Sequence, residues 1–271
     1  MSFSIQSKAL SEVFSGHGMS RREGLLRYKK APILEAVLEF RWSQTKTLDD
    51  LKAVLASSEF DAFEEPKPRV QIDAAVNFDA NAFSHQQRQL GFEAALRNGS
   101  EIVFLEAQKF VFVQRAPYDR WENFSQRALA LLASVLSALG LGEFSRVGLR
   151  FVNRIDIPNH DGPGIDTDEY VTIKFDGPRH DIGIIEEFQM RVVKPTKKDG
   201  IHYALVLATT ASPLPGNSAI LLDIDVFSRR PVPASGKKLI HTLDVMRGEK
   251  NDIFEDCLTD KARSLFGGVE E

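Results

Sequence analysis

The sequence contains a single cysteine and no apolar run long enough to cross a membrane. One thiol, Cys257, cannot form an internal disulfide, and a cysteine-based metal site needs more ligands than this. The first 30 residues lack the continuous apolar core of a signal peptide. We therefore expect a cytoplasmic protein that does not enter a membrane and that carries no cofactor.

Signatures of common enzymes are also missing. The chain has no GxSxG, no Walker A sequence, no GxGxxG after a strand and no HExxH. Its six histidines are scattered without the spacing of metal ligands, and its net charge of −4 argues against nucleic-acid binding through the whole surface. The sequence therefore favours a binding protein over an enzyme.

Hydropathy patterns indicate a mixture of strands and helices. Residues 33–42 alternate between apolar and polar side chains, which is typical of a strand. Asn98-Gly99 between two apolar segments predicts a hairpin, and a helix of about 20 residues is expected to end at Gly140. In the second half the pattern predicts strands at 147–157, 170–175, 185–194, 201–210 and 219–227, and then a helix over 235–266 that breaks near Gly248.

The order of these elements predicts an α+β fold with two tandem subdomains. Each subdomain would be an antiparallel sheet covered on one side by its long helix. The expected parts are a flexible N-terminal arm at 1–30 and two sheet-plus-helix halves at 31–142 and 143–271. One continuous sheet with two helices on one face is the alternative.

Several short segments of the chain also occur together in a known family. Along residues 28–268 they are Ala31-Pro32-Ile33 with Glu35-Ala36, Tyr118-Asp119-Arg120-Trp121, the segment from Gly148 to Ile155 (GLRFVNRI), Leu222 to Val226 (LDIDV), Asn251 to Phe254 (NDIF) and Leu258 to Lys261 (LTDK). In this order they resemble a sporadically distributed family of bacterial and archaeal proteins of about this length. Two positions depart from the family pattern: Phe151 stands where Tyr is usual, and Leu258 where Ile is usual. The resemblance implies an accessory gene, of the kind carried on mobile elements or near defence genes, and it implies no catalytic residues.

Arginines recur along one side of the strand at 146–156. Alternation places Arg146, Arg150 and Arg154 opposite a side formed by apolar residues and Asn153. Guanidinium groups bind phosphates and carboxylates through paired hydrogen bonds. The candidates for anion or ligand binding are therefore Arg146, Arg150, Arg154 and Asn153.

Acidic residues recur on two other predicted strands. They are Glu35, Glu39, Asp223 and Asp225. Their oxygens suit Mg²⁺, so they are the candidate metal ligands. The alternative is that acids and arginines pair with one another across neighbouring strands, as opposite charges on one sheet face do.

From these patterns we predict a non-enzymatic binding or partner protein, an accessory component of a mobile-element or defence-type system. One alternative is a metal-dependent phosphoester hydrolase that uses the acidic strand face. Another is a nucleic-acid-binding protein that uses Arg150, Arg154 and the basic segment 21–30. A protein partner is expected, and a homo-oligomer is compatible with the sequence.

Overall fold

The computed structural model describes residues 27–77, 82–158, 165–174 and 187–269. Within them the protein is α+β, which confirms the predicted class. The strands are β1 (Ile33–Arg41), β2 (Lys67–Asn77), β3 (Ala82–Ala95), β4 (Glu101–Glu106), β5 (Lys109–Arg115), β6 (Glu143–Phe144), β7 (Arg146–Pro158), β8 (Gln189–Pro195), β9 (Ile201–Ala211), β10 (Asn217–Ser228) and β11 (Val232–Pro233). The α-helices are α1 (Leu48–Leu55), α2 (Trp121–Leu139), α3 (Lys237–Asp256) and α4 (Asp260–Ser264). None of these helices combines the length and apolar character that crossing a bilayer requires.

Nine of the strands are hydrogen-bonded in the order β2-β3-β4-β5-β1-β7-β10-β9-β8. The strands therefore follow the single-sheet alternative rather than two separate sheets. By contacts the chain divides into two compact units. The first comprises Ile33–Phe151 and Phe227–Pro231, and the second comprises the residues up to Pro32, Val152–Val226 and the residues from Val232 onward.

The elements of the first unit follow local sequence rules. The Thr47 side chain caps α1 by accepting a hydrogen bond from the backbone of Asp50, whose carboxylate accepts one from the backbone of Thr47 in return. Gly140 ends α2 in the left-handed conformation, with φ 62°. Alternate residues of β1 are buried, and on the neighbouring elements Phe112 stacks against Phe124 with ring centroids 5.6 Å apart.

The second unit corrects two expectations. Helix α3 runs without interruption through Gly248, because one glycine in a helix costs only about 1 kcal/mol and the helix buries an apolar stripe that includes Leu243 and Met246. The expected strand at 170–175 is wrong for its described residues: a 3₁₀ turn at Thr167–Glu169 is followed by a single bridge from Val171 to Leu258.

Most of the predicted N-terminal arm, residues 1–26, lies outside the described residues. Its last residues are held in the second unit, where the backbone N–H of Lys29 donates to the carbonyl of Gly268 at 3.0 Å. The Tyr28 hydroxyl donates to the Glu255 carboxylate at 2.9 Å, and its ring meets Phe266 edge-on. Tyr28 thus anchors the start of the described chain to the last turn of α3 and to Phe266, which follows α4.

Candidate functional site

Strand β7 carries the arginines that the sequence singled out, and its burial pattern confirms their placement. Leu149, Phe151 and Ile155 are buried, whereas Arg150 is exposed and Arg154 is partly exposed. The arginines therefore lie away from the packed side of the strand, as period-two alternation predicts.

Arg146 is paired within the first unit. Its Nη1 donates to the Glu39 carboxylate on β1. Its guanidinium group lies over the ring of Phe227, with Cζ 4.7 Å from the ring centroid. Arg41 donates to the same carboxylate through Nε and Nη2, both at 2.9 Å, in a bidentate fork. The Glu39 side chain is 15% exposed and that of Arg146 is 22% exposed, so these two form a partly buried ion pair, with the half-exposed Arg41 at its edge.

Two further charges have partners on their own sheet. Glu35 lies directly across from Arg115 of β5 and accepts a hydrogen bond from its Nε at 3.3 Å. In the second unit Arg154 Nε donates to Asp156 at 3.0 Å, and the Ser212 hydroxyl donates to the same carboxylate at 2.7 Å. The Glu35–Arg115 contact is the cross-strand pairing of the alternative, whereas Arg154 and Asp156 pair within one strand.

The remaining candidates lie on three different strands. Asn153 is buried on the packed side of β7, where its Nδ2 donates to the carbonyl of Leu222 at 3.0 Å. Glu35 and Glu39 lie on β1, whereas Asp223 and Asp225 lie on β10. Across the described ranges, no group of three or more His, Cys, Asp or Glu side chains could hold a metal ion. The magnesium hypothesis thus has no structural support in this part of the chain.

One strand of a polar hairpin at the edge of the sheet, the outer part of β3, was missed by the sequence analysis. Strand β3 pairs with β4 only over Gly91–Ala95, so its earlier residues pair with β2 alone. We call Val70–Ala74 of β2 with His85–Gln89 of β3 the outer hairpin. The segment His85–Gln89 lacks an apolar face and was not predicted as a strand, because strand prediction depends on apolar alternation.

The two faces of the outer hairpin differ in chemistry. On one face Val70 lies opposite Gln89 and Ile72 lies opposite Gln87. Ile72 is 66% exposed, the largest fraction among the large hydrophobic residues found exposed in the described chain. On the other face Gln71 lies opposite Arg88, and Asp73 lies opposite Gln86. We call the first the aliphatic face and the second the polar face.

Two ionisable groups near the end of α3 have shifted pKa values. Burial, with the neighbouring charge of Arg247, lowers the pKa of Lys250 to about 7. Burial raises the pKa of the Cys257 thiol to about 12, which leaves it protonated and unreactive at neutral pH.

Comparison with known proteins does not assign the chain to a family. No family model, no curated protein and no solved structure matches the chain.

Proposed function

We propose that this chain is a non-enzymatic binding protein that engages a protein partner through the aliphatic face of the outer hairpin. The observation that carries the proposal is Ile72, which is two-thirds exposed beside the exposed Val70 on a two-stranded segment. The accessory role, in a mobile-element or defence-type system, is supported by the resemblance of the ordered sequence segments.

The energetics of the hairpin favour a partner. A two-stranded ribbon without a covering layer is marginally stable in water. Full burial of an isoleucine side chain stabilises by roughly 1.5–3 kcal/mol, so covering the exposed two-thirds of Ile72 would contribute on the order of 1–2 kcal/mol. Polar Gln87 and Gln89 beside it supply amide groups for hydrogen bonds at the rim of such an interface.

The state of the charged residues also supports binding over catalysis. Arg146 and Arg154 both donate to carboxylates of the chain itself. Their guanidinium groups would have to leave these partners before they could bind a phosphate, and the cost of breaking a partly buried pair opposes that exchange.

The test compares partner capture by matched variants. The tagged protein is purified from cells of its native host as wild type, as Ile72→Asp and as Val193→Asp, and the retained proteins are quantified by mass spectrometry. Val193 lies on β8, the strand at the opposite edge of the sheet, and is 38% exposed, so its substitution is the control for adding a charge to an exposed edge.

We expect one protein to be retained stoichiometrically by the wild type and by Val193→Asp, and to be lost with Ile72→Asp. The purified pair should then bind at least about tenfold more weakly when Ile72 is replaced, as at an interface centre. Equal retention by all three proteins, or no stoichiometric partner at all, would overturn the proposal.

A further inference from the structure

We propose that strand β2 pairs with β2 of a second copy of this chain, antiparallel and about a two-fold axis at Gln71. The inference deepens the proposed function, since it names one partner of the same hairpin. β2 is the edge strand of the nine-stranded sheet, so one of its sides has no neighbouring strand among the described residues. Edge strands of this kind are templates for pairing with another chain.

The backbone of β2 is regular where pairing would occur. The register between β2 and β3 shifts after Arg69, which lies opposite Gly91, whereas Val70 lies opposite Gln89. The extra residue, Leu90, is therefore on β3, and the alternation along β2 continues through the irregularity. The N–H and C=O groups of Val70, Ile72 and Ala74 can then face outward together.

Pro68 fixes which residues of β2 face outward. Proline cannot donate a hydrogen bond to β3, and in sheets it lies on edge strands with its nitrogen toward the open side. Alternate residues from Pro68 onward, namely Val70 and Ile72, share that orientation. In an antiparallel pair, outward-facing residues must lie opposite one another, which excludes registers that would pair Val70 with Gln71.

Among the remaining registers, the one centred on Gln71 makes the strand complementary to itself. It places Arg69 opposite Asp73 of the second copy, and the two-fold axis repeats this charge pair. On the aliphatic face it places Val70 opposite Ile72 of the second copy, so four aliphatic side chains form a continuous strip. One register thus pairs opposite charges on the polar face and apolar side chains on the aliphatic face.

To make these pairs Arg69 has to turn away from β4, where its Cζ lies 4.4 Å from the centroid of the Phe104 ring, whereas Asp73 is already exposed. The Arg69 side chain is 35% exposed, with Nη1 3.4 Å from Glu106, and Asp73 is exposed and accepts a hydrogen bond from Gln71. Glu106 also has Lys109 at 3.1 Å, so it keeps a cationic partner when Arg69 is replaced. Substitution of Asp73 removes only exposed contacts, whereas Arg69→Asp also loses the stacking on Phe104 and places an acid near the buried Glu106, so the fold of this variant has to be checked directly.

A charge-swap experiment on the purified chain tests the register. Asp73→Arg alone places arginines opposite one another, and Arg69→Asp alone places aspartates opposite one another. A one-to-one mixture of the two variants restores both opposite-charge pairs. Sedimentation equilibrium measures self-association of the wild type, of each variant and of the mixture, with circular dichroism confirming that each is folded.

We expect the wild type to dimerise in the micromolar range, because strand pairing alone buries less surface than a standard interface. Each variant alone should dimerise at least about tenfold more weakly than the wild type, and the mixture should recover the wild-type affinity. A wild type that stays monomeric, or single variants that associate as well as the mixture, would overturn the proposal.

Cross-linking adds a measurement that does not depend on charge. In this register Gln71 faces its own copy at a closely spaced, non-hydrogen-bonded position, so Gln71→Cys should form an intermolecular disulfide under mild oxidation. Asp73→Cys is the control, because residue 73 lies opposite residue 69 of the second copy, four residues along the strand from residue 73 of that copy. Cys257 is buried and does not interfere. Equal cross-linking at both positions would contradict the register.

The two proposals fail separately. Asp73→Arg leaves Val70 and Ile72 in place, so this variant should lose self-association yet still retain a different protein partner in the capture experiment, though with lower avidity. A wild type that stays monomeric while it still captures a partner through Ile72 contradicts only the proposed strand pairing. A stable dimer without any other partner contradicts only the proposed function.

Discussion

Replacement of Glu39 tests whether the arginines of the sheet are structural. Glu39 is 15% exposed and accepts hydrogen bonds from Arg41 and from Arg146, whose side chain is 22% exposed. Arg41 is half exposed, so water compensates most of what it loses in Glu39→Ala. Arg146 is mostly buried, and hydrogen bonds to charged groups contribute about 1.5–3 kcal/mol each.

We therefore expect Glu39→Ala to lower the free energy of unfolding by about 2 kcal/mol, which corresponds to a decrease in Tm of roughly 4–8 °C. Glu35→Ala is the matched control on the same strand. Glu35 and its partner Arg115 are 38% and 53% exposed, so this change should cost at most about 0.5 kcal/mol.

Urea unfolding followed by circular dichroism measures both values, and calorimetry gives the corresponding Tm. If Glu39→Ala costs no more than Glu35→Ala, the reasoning is refuted, because the pairing of Arg146 would then contribute nothing to the fold. Arg146 could then bind an external anion, and such a result would support the anion-binding hypothesis.

Three further outcomes follow from single residues. Gly91→Ala would press Cβ against the Leu105 carbonyl oxygen and place it 2.6 Å from Glu106 Cα, so it should cost about 2 kcal/mol or more in urea unfolding. Gly142→Ala, with no atom within 4 Å of the new Cβ, should be neutral, and equal costs would contradict this packing. Cys257 should react with a thiol reagent only after denaturation, since burial raises its pKa to about 12; rapid labelling of folded protein at neutral pH would contradict that. Burial and Glu255 raise the pKa of Tyr28 from 10.0 to about 12, so its contribution to stability is complete below pH 10 and is lost as the pH rises through 12. Ultraviolet titration should show one late-titrating tyrosine fewer in Tyr28→Phe, and identical curves would refute this.

Local patterns were sufficient for the elements with one apolar side. The alternation in β1 and β7 predicts both strands, and Gly140 predicts the end of α2. These rules work because the signal lies within the element: the buried side chains are its own, and the glycine in the left-handed conformation is at its own end.

Long-range pairing left no local signal. Glu39 and Arg146 are 107 residues apart in sequence, and only the adjacency of β1 and β7 in the sheet brings them together. The sequence analysis could name both as charged strand residues and could offer pairing as an alternative, but it could not decide between a ligand site and an ion pair. The break expected at Gly248 failed for a related reason, since apolar contacts of α3 outweigh the low helix propensity of one glycine.

The same principle explains why the outer hairpin escaped prediction and why it bears on function. A strand with an apolar side is stabilised by packing in the core, and its sequence shows this as an alternation of apolar and polar residues. His85–Gln89 has no apolar side, so its strand conformation depends on pairing with β2, and no further strand of the described ranges pairs with the open edge of β2. Where a segment forms a strand without the pattern that would bury it, the missing stabilisation points to an interaction outside the chain. This reasoning leads from the polar run in β3 to the exposed Ile72 beside it, and to the second copy of β2.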